Sequence, residues 1–239
     1  MSLRPVLVGH VAVGFVSKRA EPRLSLGTCL LAALLADLLL FVFVIAGIER
    51  IEFGSGSGAA QFLHAVEIGY SHSLLMGVVW AGLLAGGFYA RRHHTRAAAI
   101  LAAGVLSHWV LDVISHQPDM PLAPGVRTLL GFQLWSSIPA TLAIEGGFWM
   151  AALIVYARMH ARRTRLSWIV FGVGAILLTL AWIGNVAGPP PSNPRVAPMS
   201  SLIFFALVVA WGYWLNRLGS DPATTRLRGQ TPVQVDSRG

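Results

Sequence analysis

The sequence has few charged residues and almost no cysteine. Charged side chains make up 12% of its 239 residues, and Cys29 is the only cysteine. One cysteine excludes an intramolecular disulfide scaffold, and a hydrophobic fraction of 55% is too high for an intrinsically disordered chain. This fraction also exceeds that of a soluble domain, so the composition indicates a membrane protein.

Motifs for covalent and nucleotide chemistry are missing as well. The chain has no nucleophile elbow, P-loop, dinucleotide fingerprint, HExxH or CxxC. The net charge of +8 does not indicate a nucleic-acid partner, because the basic residues match no recognised module and cluster beside apolar runs. These clusters are Lys18, Arg19 and Arg23; Arg91, Arg92 and Arg96; Arg158, Arg162, Arg163 and Arg165; and Arg217, Arg226 and Arg228.

Six apolar runs are each long enough to cross the hydrocarbon core, which takes about 20 helical residues. They cover roughly residues 25–48, 70–90, 97–117, 138–157, 166–187 and 199–217. The fold class predicted is an all-α polytopic transmembrane helix bundle. The basic clusters precede the first span and follow the second, fourth and sixth, which predicts an inner-membrane protein with cytoplasmic N- and C-terminal regions.

The remaining segments define the domain organisation. Residues 5–16 are apolar but too short for an ordinary span, so an interfacial helix, a re-entrant helix and a thin extra crossing all stay open. Gly-Ser residues 54–58 and Pro-rich residues 188–194 are predicted to connect spans. We expect one membrane domain over 1–219, with the site in about 5–155, and a disordered cytoplasmic tail over 220–239.

Three acidic residues lie inside predicted spans: Asp37, Asp112 and Glu145. Each would cost about 2.5–3.5 kcal/mol if exposed to lipid near a helix centre. They must therefore face the bundle interior, pair with another group or bind an ion. For Glu145, pairing with Arg127 and proton acceptance at the site both stay open.

Histidines occur at depths that match these acids. His108, Asp112 and His116 are spaced four residues apart on one helix face, and His108 with Asp112 is the pair that one ion can reach. His72 opens the second span on the side where the third ends, and Asp37 lies about 18 Å into the first, at 1.5 Å per residue.

Histidines with carboxylates are ligands of zinc, manganese or iron, so we predict a divalent metal, zinc first. The alternative is that these groups only hydrogen-bond neighbouring helices. Possible supporting residues are Ser71, Ser107, His116 and Asp119.

Two sequence segments resemble a known family. They are Tyr70-Ser71-His72-Ser73-Leu74-Leu75 and the run from Ser107 to Leu122, together with Gly9-His10 and an Asp late in the first span. The set resembles the YdjM/YbcI-like family of bacterial inner-membrane proteins, to which metal-dependent hydrolysis is ascribed, over about residues 5–155. The resemblance implies His10, His72, His108 and Asp112 as metal ligands, with Asp37 as a further one. Many relatives carry a histidine where this chain has Glu67.

The leading functional hypothesis is therefore a metal-dependent hydrolase. Glu67 or Glu145 would accept a proton from metal-activated water, and the position near the outer leaflet suggests a lipid or other amphipathic ester or phosphoester as substrate. Membrane lipid is the one partner expected. A proton- or cation-coupled transporter that uses Asp37, Asp112, Glu145 and His108 is the alternative, and a membrane protein without turnover is a third.

Overall fold

The structure is a computed structural model that describes residues 8–53, 63–160, 164–187 and 196–218. These residues form α1 (Val8–Ala20), α2 (Leu26–Ala33), α3 (Leu35–Ile45), α4 (Gly69–His72), α5 (Leu74–Arg92), α6 (Thr95–Ser115), α7 (Ile138–His160), α8 (Arg165–Ala187) and α9 (Ala197–Leu218). The predicted linkers at 54–58 and 188–194 and the predicted tail at 220–239 lie outside the described residues. The all-α prediction is confirmed.

Within the described residues, five helices are long and apolar enough to cross a membrane: α5, α6, α7, α8 and α9. Large apolar side chains stand exposed along them, among them Leu83, Leu177 and Leu207. In water such a surface would be unfavourable, whereas in a bilayer it contacts lipid tails.

The first predicted span, 25–48, is divided into two helices, α2 and α3, which meet at an angle of 58°. Leu34 sits at the break with φ −105° and ψ 7°, outside the helical region. At the same point the carbonyl of Ala33 accepts a hydrogen bond from the His108 ring, an insertion of the kind that kinks helices. The divided span counts as a sixth crossing only if α2 and α3 together traverse the bilayer.

Helix α1 lies inside the bundle, where it packs against α2, α6, α7 and α8. Its 13 residues span about 20 Å, less than the hydrocarbon thickness. Val8, Val11, Ala12 and Phe15 are fully buried. This burial fits a membrane-embedded helix, re-entrant or thinly spanning, and disfavours one lying on the membrane surface.

Close packing joins α2 to α9. A Cβ atom built on Gly212 would lie 2.5 Å from the Leu30 side chain and 3.0 Å from the Gly27 backbone. Only glycine therefore lets the two helices approach this closely, as in many membrane helix pairs.

Two short antiparallel strand pairs cap the bundle, β1 (Arg50–Phe53) with β2 (Leu63–Glu67) and β3 (Met120–Pro121) with β4 (Leu129–Leu130). A 3₁₀ turn over Leu134–Ser136 leads into α7. Sequence analysis predicted none of these pieces. They matter because the first pair is followed by α4, a single turn that ends at His72, and Ser73 then caps α5.

Candidate metal centre

Five ionisable side chains meet in the interior. His10 comes from α1, Asp37 from the first turn of α3, His72 from α4, and His108 and Asp112 from successive turns of α6. Each is at most 6% exposed. The structure thus brings together all five residues that were predicted as metal ligands.

Four of them lie close together, with the two aspartates beside the facing rings of His72 and His108. The His108 Nε2 atom lies 3.3 Å from His72 Nε2, 3.2 Å from Asp112 Oδ2 and 3.8 Å from Asp37 Oδ1. The His72 Nε2 atom lies 3.7 Å from the same Asp112 oxygen and 3.8 Å from the same Asp37 oxygen. We call these four residues the central cluster.

These separations fit a metal ion. Ligand atoms about 2.0–2.2 Å from a tetrahedral zinc ion lie about 3.3–3.6 Å from one another. The five separations measured from the two histidines span 3.2 to 3.8 Å, close to the range that such a shell requires. Two imidazoles and two carboxylates are also a donor set that zinc, manganese and iron accept.

The outer ring nitrogens fix how the two histidines face the cluster. Nδ1 of His108 donates to the Ala33 carbonyl at 2.8 Å, so this nitrogen must carry a proton. In the neutral ring Nε2 is then an acceptor that points into the cluster. The Ser71 hydroxyl lies 2.8 Å from Nδ1 of His72 and can orient that ring in the same way.

His10 occupies a different position. Its Nε2 lies 3.1 Å from Asp112 Oδ1, the oxygen that faces away from the other two histidines, and its ring stacks on His108 with centroids 3.8 Å apart. One ligand atom from each of His10, His108 and Asp112 lies within 4.8 Å of the other two, which is close enough for the three residues to share an ion. The geometry equally suits a supporting histidine that donates to Asp112 and aims Oδ2 at the central cluster.

Glu49 supports the cluster from the loop before β1, and sequence analysis missed it. Its Oε1 accepts the backbone N–H groups of Tyr70 and Ser71, both at 2.8 Å, and the side chain is buried. These bonds tie down the start of α4, the turn that carries His72. Glu49 lies 21 residues before Tyr70, so no local sequence pattern indicates that its side chain contacts α4.

Glu145, predicted as a proton acceptor, lies apart from the cluster. Its two oxygens accept the indole N–H groups of Trp135 and Trp182, both at 2.9 Å. Neither oxygen pairs with Arg127. The predicted supporting role of Ser107 also finds no contact, because its hydroxyl donates to the carbonyl of Gly104 in its own helix.

The remaining predicted residues lie toward the end of α6 and beyond. His116 Nδ1 is 3.1 Å from Asp119 Oδ1, and its ring packs on Trp135. Glu67 is exposed at the end of β2, away from the central cluster.

Membrane-spanning helices around a buried His/Asp cluster define a multi-pass membrane protein with a candidate metal centre. A family model described as YdjM inner membrane protein matches residues 3–187. The chain belongs to this family and is a multi-pass inner-membrane protein, which confirms the resemblance seen in the sequence. No curated protein and no solved structure matches it.

Proposed function

We propose that the protein is a membrane-embedded, metal-dependent hydrolase whose central cluster holds a divalent cation, with zinc as the best fit. The observation that carries this proposal is that His72 and His108 lie 3.3 Å apart and that each of them lies 3.2–3.8 Å from an oxygen of Asp37 and from an oxygen of Asp112. The family match and the buried cluster are both compatible with a metal-dependent membrane protein.

The cluster favours a cation over plain helix-to-helix hydrogen bonding. If both histidines are neutral with the proton on Nδ1, their Nε2 atoms are two acceptors in contact, flanked by two further acceptor oxygens. In addition, Asp37 Oδ2 and Asp112 Oδ2 are buried without a hydrogen-bond partner in the described chain. Unpaired buried carboxylate oxygens are costly, and a dication offsets that cost.

When bound, a divalent metal of this type supplies Lewis acidity, which in zinc hydrolases lowers the pKa of the bound water to about 7. The chain provides room for the water: a cavity of about 10 Å³, the size of one water molecule, is lined by His72, His108, Trp80 and Trp109. The proposed proton acceptor is Asp37 Oδ2, which is buried without a hydrogen-bond partner in the described chain, whereas both oxygens of Glu145 accept indole N–H groups.

The proposed substrate class is a lipid or another amphipathic ester or phosphoester. With the N terminus in the cytoplasm, as the basic clusters predict, the end of α6 that carries Asp112 lies toward the outer leaflet. The water-sized cavity lies between α5 and α6, whose outer faces carry exposed Leu75, Val78 and Val110. A substrate dissolved in the bilayer would therefore start close to the cluster.

Hydrolysis can be tested with purified protein in detergent, loaded with zinc, on short-chain fluorogenic ester and phosphodiester lipids. We expect metal-dependent turnover that Asp37→Asn lowers by at least 10²-fold, the range of a general base. Ser107→Ala, which changes the residue next to His108 in α6 but removes only a hydrogen bond within that helix, is the matched control and should keep full activity. Turnover that survives in Asp37→Asn would contradict the assigned role.

One feature favours a second candidate, a proton- or cation-coupled transporter. Discontinuous helices that end at buried polar residues are typical of transporter ion sites, and the α2–α3 break places the Ala33 carbonyl and Asp37 beside the cluster. Proteoliposomes with an internal pH dye separate the two candidates. Proton flux abolished by Asp112→Asn would support transport, whereas tight stoichiometric metal without flux supports hydrolysis.

A further inference from the structure

A large cavity lies on the other side of α4 from the central cluster. It has a volume of about 810 Å³ and is walled by the β2–α4 connection and by the loop that follows β3. Gly69 marks where these walls meet, since a Cβ atom there would lie 2.8 Å from Pro124 Cα. Gly69 precedes His72 by three residues, or about 4.5 Å of helix rise, so the cavity is one turn away from a candidate ligand.

The cavity wall carries opposite charges that are not paired with each other. Arg127, Glu67 and Asp119 all line it. Within the described chain, Arg127 and Glu67 have no ion-pair partner, and Asp119 Oδ2 is buried without a hydrogen-bond partner because His116 contacts only Oδ1. Arg127 and Glu67 are both exposed on the cavity wall, and charges of both signs that are not paired with each other suit a ligand that carries both signs itself.

The rest of the wall is apolar, with Ile48, Ile68, Val126 and Leu129. Arginine binds phosphate through parallel N–H bonds, and carboxylates accept hydrogen bonds from a primary ammonium group. We propose that this cavity binds a phosphoethanolamine group, with the phosphate on Arg127 and the ammonium on Asp119 and Glu67. The claim that this cavity binds the headgroup of a substrate rests on the proposed function. The claim that it binds phosphoethanolamine does not depend on hydrolysis.

The test uses calorimetry on the full-length protein in detergent with three probes: soluble phosphoethanolamine, dihexanoyl phosphatidylethanolamine and dihexanoyl phosphatidylglycerol. We expect the ethanolamine lipid to bind more tightly than the glycerol lipid, which lacks the ammonium. Tighter binding of the ethanolamine lipid than of soluble phosphoethanolamine assigns the group to a lipid, and the reverse order assigns it to a free phosphoester.

Variants test each contact separately. Asp119→Asn should weaken the ethanolamine lipid about tenfold and leave the glycerol lipid unchanged, whereas Arg127→Gln should weaken both. Arg91→Gln, an exposed arginine at the far end of α5, is the control and should change neither. If Asp119→Asn does not fold, Glu67→Gln at the exposed edge replaces it with the same expectation.

Equal binding of the two lipids by the native protein, or unchanged binding in both charge variants, would overturn the proposal. His108→Ala distinguishes this failure from failure of the hydrolase proposal, because that variant removes a cluster ligand and should retain the preference for ethanolamine. Conversely, if the native protein prefers the ethanolamine lipid but holds no metal, the result would support the cavity as a binding site and contradict the hydrolase proposal.

Discussion

The Nε2 atom of His108 faces that of His72 at 3.3 Å, although the opposite nitrogen of His108 is already committed as a donor to a carbonyl. Two neutral imidazoles that both carry their proton on Nδ1 repel in this arrangement unless a cation lies between them. The two aspartates beside them lower the cost of that positive charge. The break between α2 and α3 leaves the Ala33 carbonyl free to orient His108, and the oriented ring faces His72 as the proposed metal site requires.

Chelation should lower the thermal stability of the protein in detergent. A ligand that binds only the native state stabilises it by about 2.7 kcal/mol at a free concentration 100 times its Kd, so its removal should lower Tm by several degrees. The measurement is a melting curve before and after verified metal removal. His108→Ala should show no chelator effect, and an unchanged Tm in the metal-stripped native protein would contradict the proposal.

Glu49 should control metal affinity without touching the metal. Glu49→Ala removes the acceptor for two N–H groups at the start of α4, frees His72 to move, and should weaken metal binding about 10–100-fold. Glu49→Gln keeps an oxygen for the same two bonds and should restore most of the affinity. A competition titration with a chromophoric chelator measures both, with exposed Glu67→Ala as control; equal affinities in the Ala and Gln variants would refute the positioning role.

Glu145 should matter for stability and not for metal content. Glu145→Gln leaves one acceptor and sets an amide N–H₂ against an indole N–H, so a buried hydrogen bond is lost at a cost of about 1–3 kcal/mol. We expect a lower Tm with native metal stoichiometry. Loss of metal in this variant would contradict this prediction and indicate that Glu145 contributes to metal binding.

The α2–α9 contact should tolerate no side chain at its crossing. Gly212→Ala forces a Cβ atom into the Leu30 side chain and the Gly27 backbone and should destabilise the protein by about 1–3 kcal/mol. Gly184→Ala in α8 meets nothing within 4 Å and should be neutral or slightly stabilising. Melting curves of the two variants compare them directly, and an equal Tm would argue against this helix crossing.

Much of this architecture could be predicted from the sequence because bilayer thickness fixes span length. The same reasoning found the residues of the central cluster, since an acid such as Asp112 inside a span needs a partner, and the spacing to His108 places both on one helix face. The break at Leu34 could not be predicted, because the carbonyl of Ala33 beside it is bonded to the ring of His108, 75 residues further along the chain. The roles of Glu49, Trp135 and Trp182 likewise depend on tertiary contacts that leave no periodic pattern.

The most direct test of the central cluster is the metal content of the purified protein, measured by elemental analysis beside two variants of α6. We predict about one equivalent of a divalent metal, zinc foremost, in the native protein and in Ser107→Ala, and loss of that metal in His108→Ala. A native protein purified without chelator that holds no divalent metal even after zinc is offered, or a His108→Ala variant with full content, would contradict the account.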